Sequence, residues 1–168
     1  MTKPTFELKG ESFINKIGIK IETTYFEANP LENLEGIKLG GARGWCFSGG
    51  KFVVVRSGDH WGTPGGEIEK GETMDQALER EVMEEASMRI VRKELIGYQD
   101  FYTPTYTSRQ VIFFCEVEPL DKFTHDPDED ITEVKLIDPK DYKEYFDWGI
   151  IADHVMKKSL EILSQKQV

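Results

Sequence analysis

Only two cysteines, Cys46 and Cys115, occur among the 168 residues, and they show no CxxC spacing. That excludes a disulfide framework, and Cys115, inside the apolar run VIFFC, reads as a buried small hydrophobe. Also missing is any apolar run approaching the ~20 residues a membrane helix needs. The opening stretch, MTKPTFELKGES, lacks the apolar centre of a secretion signal, so a cytoplasmic location is expected. Basic residues are in deficit, with 21 Lys and Arg against 31 Asp and Glu, a net charge of −10. A nucleic-acid polymer is recognised through clustered Lys and Arg, so neither such a polymer nor a membrane is an expected partner. A small phosphorylated ligand remains open, because a divalent cation can bridge two negative partners.

What is present describes one globular domain over residues 1–168, with 1–12 as a flexible N-terminal segment. Hydrophobic residues make up 39% and charged residues 31%. Phe13 to Tyr25 alternates, with Ile17, Ile19 and Ile21 on one face, and predicts a strand. Asn29 to Gly41, broken by Pro30 and Gly36, reads as a connection. Ala42–Phe47 and Phe52–Arg56 predict a hairpin joined by Ser48-Gly49-Gly50. Ser57 to Gly71, with five glycines and one proline, reads as a loop. Helical spacing follows from Thr73 to Ser87, where Met74, Leu78, Val82 and Ala86 form a buried stripe. Thr73 and Gln76 have the spacing of a capping box. Strands are predicted at Arg89–Tyr102, Arg109–Val117 and Ile131–Ile137. Asp138-Pro139 has the form of a helix start, and a last amphipathic helix runs from about Trp148 to Leu163. Strands that bracket helices without a strict βαβ rhythm predict an α+β fold, a mixed sheet with helices packed on it.

The helix carries an oddity in Arg80-Glu81-Val82-Met83-Glu84-Glu85. Glu81, Glu84 and Glu85 stand at i, i+3 and i+4, so they share an arc of roughly 100° beside the apolar stripe. Like charges so spaced cost about 0.2–0.5 kcal/mol per pair in an isolated helix. An acid-rich solvated face would do the same, but it more often interleaves lysines at those offsets. Three carboxylates on one face instead suit a hard divalent cation, which takes oxygen ligands and removes the repulsion.

The wider pattern is Gly66, five residues, Glu72, seven residues, Arg80-Glu81-Val82, one residue, Glu84-Glu85, and Met88 after two more. Six positions fixed by type would coincide by chance at on the order of 10⁻⁸–10⁻⁷ per start point. This 23-residue stretch resembles the Nudix box, the signature of the Nudix hydrolase superfamily. Ser87 stands where that family usually has a helix-ending glycine, a departure that concerns helix termination more than metal chemistry.

The resemblance implies a Nudix fold, a mixed sheet between helices. It also implies divalent-metal-dependent hydrolysis of a phosphoanhydride in a nucleoside diphosphate linked to some group X. By the same resemblance, Glu81, Glu84 and Glu85 with the carbonyl of Gly65 bind Mg²⁺ or Mn²⁺. Gly66, Glu72 and Arg80 are then structural, the last two as an ion pair bracing loop against helix. The general base is either a box glutamate, Glu81 or Glu85, or a carboxylate of the acidic loop 125–133, with Glu129 first and Glu133 second. Homodimers are frequent in the family, although no segment here marks an interface.

Three further residues are candidates for substrate contact. Arg56 ends the strand before the glycine-rich loop, either meeting phosphate or facing solvent. Trp61 either stacks on a base or packs beneath the loop. Tyr106 belongs to FYTPTYTS, a turn with three aromatics on the expected substrate side. The identity of X stays open between a nucleotide sugar, a dinucleoside polyphosphate and a (d)NTP, since Pro104 and Tyr106 resemble markers of different subgroups. The alternative to an enzyme is a Nudix-fold module that binds a nucleotide or nucleotide sugar without cleaving it.

Overall fold

The first predicted strand is interrupted, and the interruption has a local cause. In the computed structural model, which describes residues 3–120 and 130–165, the Asn15 side chain accepts hydrogen bonds from the backbone N–H groups of Ile17 and Ile19. That closes a turn of the kind Asn favours over extended backbone. It leaves two strands, β2 (Phe13–Ile14) and β3 (Lys20–Glu27), with Ile17 79% exposed rather than on a buried face. The segment read as a flexible N-terminus contains β1 (Phe6–Lys9), which pairs antiparallel with β3.

The predicted connection ends early, because β4 already begins at Ile37 and runs to Ser48. A two-residue turn leads to β5 (Lys51–Ser57). Gly49 and Gly50 have φ of +56° and +80°, the left-handed pair that a primed hairpin turn demands. The predicted glycine-rich loop contains two short strands, β6 (His60–Gly62) on β5 and β7 (Gly65–Glu67) on β4. Helix α1 (Met74–Ala86) follows, then β8 (Met88–Tyr102) and β9 (Thr107–Pro119). After the undescribed residues come β10 (Ile131–Ile137), a 3-10 turn (Pro139–Glu144) capped by Asp138, and α2 (Ile150–Ser164).

The strand order is β1-β3-β8-β9-β4-β5-β10. All these pairings are antiparallel except β4 with β9, which run parallel over residues 37–47 and 107–116. The sheet is therefore mixed, as expected. Alternate residues of the central strands go to opposite faces. Trp45, Phe47, Phe52, Val54, Ile112 and Phe114 pack with Ile151, Val155 and Met156 of α2. Cys46, Val53, Val55, Val111, Phe113 and Val117 pack with Ala77, Leu78, Val82 and Ala86 of α1. The two thiols sit directly opposite each other in the parallel pair and are both fully buried.

Helix α1 carries the predicted apolar stripe, and its ends define its position. Thr73 accepts from the Gln76 N–H while the Gln76 side chain accepts from the Thr73 N–H, a closed capping box. Such a cap is worth about 1 kcal/mol. At the other end Ser87 adopts the left-handed conformation, φ 54° and ψ 43°, and its N–H closes the last turn on the Met83 carbonyl. The usual glycine is absent, yet its backbone geometry is kept.

A second arginine-centred contact fixes the approach to β4. Arg109 is buried, paired with Asp100 at 2.8 and 3.0 Å, and lies 3.8 Å over the Tyr98 ring. Its remaining N–H groups reach the carbonyls of Pro30, Glu32 and Asn33, so one side chain ties down the connection ahead of β4.

Candidate metal and substrate site

The strand–loop–helix from β7 through α1 brings the box residues together, and their packing explains the glycines. A Cβ on Gly66 would stand 2.4 Å from the Glu81 carboxylate, so any side chain there displaces that group. The neighbouring Gly65 N–H donates to Glu85 Oε1 at 2.8 Å. Glu81 and Glu85 thus lie against the same two-residue strand segment, held between helix and sheet edge.

Arg80 sits in the middle of the carboxylates. It reaches Glu72 at 2.7 and 3.0 Å, Glu81 at 2.8 Å and Glu84 at 3.4 Å, and also donates to the Glu67 carbonyl. The hydrogen bond to Glu72, with help from Glu81, raises the affinity of Arg80 for its proton despite partial burial. In return Arg80, and then the N–H of Glu69, hold the Glu72 carboxyl below the usual carboxylate range. The like-charge cost read from the sequence is therefore offset within the protein itself: Arg80 neutralises part of the cluster. Among the described residues no three His, Cys, Asp or Glu side chains converge on one point. The donor set around Gly65–Gly66 is nonetheless all oxygen and negatively charged, which fits a hard cation such as Mg²⁺ or Mn²⁺.

On the α2 face of the sheet lies a cavity of about 890 Å³, connected to the β7 segment through Arg43 and lined by no residue of the box. Its floor includes Gln99 and Gln110, which are paired neighbours on β8 and β9. Phe101, Trp45 and Trp148 supply aromatic walls, and the start of α2 borders the opening. Arg43 lines the cavity from β4 and is opposite Gly65 in the β4–β7 register. Its Nη1 donates to the carbonyl and the hydroxyl of Thr63, and its guanidinium lies 5.3 Å from the Trp148 ring centre. Burial lowers the proton affinity of Arg43, while the charges of Glu85 and Glu81 oppose that effect.

The other sequence candidates are dispersed. Arg56 donates to the Gly58 carbonyl and forms longer ion pairs with Asp59 and Glu133 at 3.9 and 3.7 Å. Trp61 packs edge-on against Tyr145 at 5.3 Å. Tyr106 is 61% exposed on the β8–β9 turn. None of these three lines the cavity. Glu129 lies outside the described residues.

Arg43, Gln99, Gln110 and Trp148 were not singled out from the sequence. Arg43 alone offered a signal, as a charged residue inside an otherwise apolar strand, ARGWCF. The others become neighbours only through pairing of β4, β8 and β9 and the return of the chain to α2.

Several solved structures share the fold. The Bacillus subtilis pyrophosphohydrolase BsRppH superposes with a TM-score of 0.66 at 20% identity, covering 94% of this chain and 98% of that one. MutT, from work on Aliivibrio salmonicida and Vibrio cholerae, gives 0.54 at 20% identity, covering 74% and 98%. A structure described as an ADP compounds hydrolase gives 0.55 at 16% identity, covering 100% and 98%. No curated relative matches the chain. A sequence model of the NUDIX domain matches residues 41–158, which span β4 through the first half of α2 and include every described box residue. The chain therefore belongs to the NUDIX domain family of phosphoanhydride hydrolases.

Proposed function

We propose that this protein hydrolyses a phosphoanhydride of a nucleoside diphosphate linked to a group X, with Mg²⁺ or Mn²⁺ as cofactor. The observation that carries this reading is the convergence of Glu81 and Glu85 on Gly65–Gly66, whose strand partner Arg43 lines a cavity large enough for a nucleoside. Glu81, Glu84 and Glu85, with the Gly65 carbonyl, would hold the cation. When bound, it would neutralise diphosphate oxygens and lower the pKa of an attacking water.

The chain's own residues contribute the rest. Arg80 shares its charge among Glu72, Glu81 and Glu84, so the carboxylates are held close together before any ligand arrives. Its contact with Glu84, at 3.4 Å, is the longest of the three. Glu72 holds Arg80 through two hydrogen bonds and accepts from the Glu69 N–H at 2.9 Å, so loop and helix are kept in register. Glu85 or Glu81 would take the proton from water, with Glu129 as the alternative from the acidic loop. Gln99 and Gln110, with both donor and acceptor atoms, and the ring of Phe101 suit a nucleobase.

The test is release of phosphate and nucleotide from a panel of nucleotide sugars, dinucleoside polyphosphates and (d)NTPs, with Mg²⁺, with Mn²⁺ and with chelator. Metal-dependent cleavage of one class supports the proposal and names X. Thermal stabilisation by a nucleotide without turnover of any compound would make the protein a binding module instead.

A further inference from the structure

Within the reading just given, we propose that Arg43 grips the phosphate groups of the substrate at the boundary between the cavity and the glutamate cluster, and is a binding residue of this protein. Two observations converge on it. The first is its unused donors. Nη1 is fixed by the Thr63 carbonyl and hydroxyl, but Nη2 and Nε have no partner among the described residues. A guanidinium presents its donors as a planar fork that matches two phosphate oxygens, and here one arm is pinned while the other is free. Its guanidinium carbon stands over the Trp148 ring, a second contact that helps to hold the side chain in place.

The second observation is its place. Arg43 opposes Gly65, whose N–H holds Glu85, and the two backbones are so close that a Cβ on Gly65 would come within 2.8 Å of the Arg43 Cα. The fields of Glu85 and Glu81 reach it, as the opposing effects on its proton affinity show. Five charged side chains line the cavity. Glu11, Asp147 and Asp153 are acidic, and Lys143 is tied to Asp153 at 2.9 Å. Lys143 stands on the α2 side, engaged with Asp153, so Arg43 is the basic side chain of the lining that is set against Gly65.

Register supplies the scale. Arg43 is paired with Ile112, two residues along β9 from Gln110. A strand spacing of about 4.8 Å and a two-residue rise of about 6.6 Å put Arg43 and Gln110 roughly 8 Å apart at the backbone. A nucleoside whose base rests on the glutamines can therefore present its first phosphate to Arg43 and the next to the glutamates. This ordering identifies the cavity as the nucleoside end and the α1 side as the cleavage end.

The experiment is calorimetric binding of ADP and of GDP in the presence of chelator, which removes any contribution from a cation. It compares the wild type with Arg43→Ala and Arg43→Lys. The proposal expects at least one diphosphate to bind the wild type. It expects about tenfold weaker binding in Arg43→Ala and a loss of about three- to fivefold in Arg43→Lys, a point charge without the fork. On any substrate the panel identifies, Arg43→Ala should raise KM more than it lowers kcat. Wild-type protein that binds neither diphosphate, or Arg43→Ala binding within twofold of wild type, overturns the proposal. Should the alanine variant fail to fold, the lysine variant decides, since it keeps the charge and a donor for Thr63; binding within twofold of wild type again overturns it. Loss of ADP or GDP binding without Arg43, in a protein that cleaves nothing in the panel, would sink the hydrolase reading and leave this one standing. Normal turnover with binding indifferent to Arg43 would do the reverse.

Discussion

Arg80 and Arg109 each collect a carboxylate and backbone carbonyls, but they do so in different surroundings. The Arg109–Asp100 pair is 2–3% exposed, and every partner of the arginine is a fixed atom of the fold. Arg80 is 21% exposed, and two of its partners, Glu81 and Glu84, are also the ligands proposed for a cation. A buried pair cannot be exchanged, because any opening leaves charges out of water. A partly exposed, shared arginine can release one carboxylate and keep another. The same residue type therefore serves as a rivet on β9 and, under the proposed function, as a placeholder on α1.

The sharpest way to test that contrast is at Glu85. Glu85→Gln should reduce turnover by about a thousandfold or more, on the order of 4 kcal/mol of barrier. The fold should persist, since an amide oxygen can still accept from the Gly65 N–H. Melting without metal should stay the same or rise by a few tenths of a kcal/mol, as one repelling charge is gone. Steady-state kinetics and thermal unfolding read both halves, and nearly undiminished turnover would remove Glu85 from the metal set.

Arg109→Ala probes the rivet. It strands Asp100 and three carbonyls, and denaturant unfolding should show a loss of about 3–5 kcal/mol. A loss below about 1 kcal/mol would mean that the loop ahead of β4 is held by other contacts.

The next effect down concerns the end of α1. Ser87→Gly relieves a left-handed backbone at a residue with a Cβ, and unfolding should show a gain of about 0.5–1 kcal/mol. Turnover should change little, because Ser87 shapes the helix end and not the carboxylate cluster.

The smallest effect is a pH response confined to the placeholder. Glu72 has a folded pKa below its ordinary 4.5. The stability it contributes is complete above that ordinary value and is lost as pH falls through the depressed one. Hydrogen exchange should show the Glu69 amide, which donates to Glu72, losing protection in that acidic window and keeping it above pH 4.5. Equal protection on both sides would separate the loop from the Glu72 charge.

What the sequence disclosed follows from how local each cause is. The α1 capping box involves Thr73 and Gln76, three residues apart, and the Gly49–Gly50 turn involves neighbours, so both were legible. The mixed sheet with helices and the family followed from alternation and from the box spacing. The parallel β4–β9 pairing was not legible, because nothing within either strand names a partner some seventy positions away. Asn15 broke a strand whose isoleucines alternate well, since its side chain can satisfy two backbone donors that a sheet would otherwise hold. Within the site, the box glutamates were visible as a spacing. The sharing of Glu81 and Glu84 with Arg80 was not, because i, i+1 and i+4 offsets do not reveal which rotamer an arginine takes. Arg43 and Trp148 meet across 105 positions, beyond the reach of any local pattern.

The parallel pairing of β4 and β9 carries a consequence for where the motif can live. The 23-residue box lies wholly inside the excursion that separates these two strands, and Gly65 is positioned by β4, whose other neighbour is β9. An excised loop–helix peptide would thus keep every consensus letter and lose the wall against which its glutamates are arranged. Transplanting this chemistry into another scaffold means grafting a parallel strand pair with a hairpin edge, and not a helix.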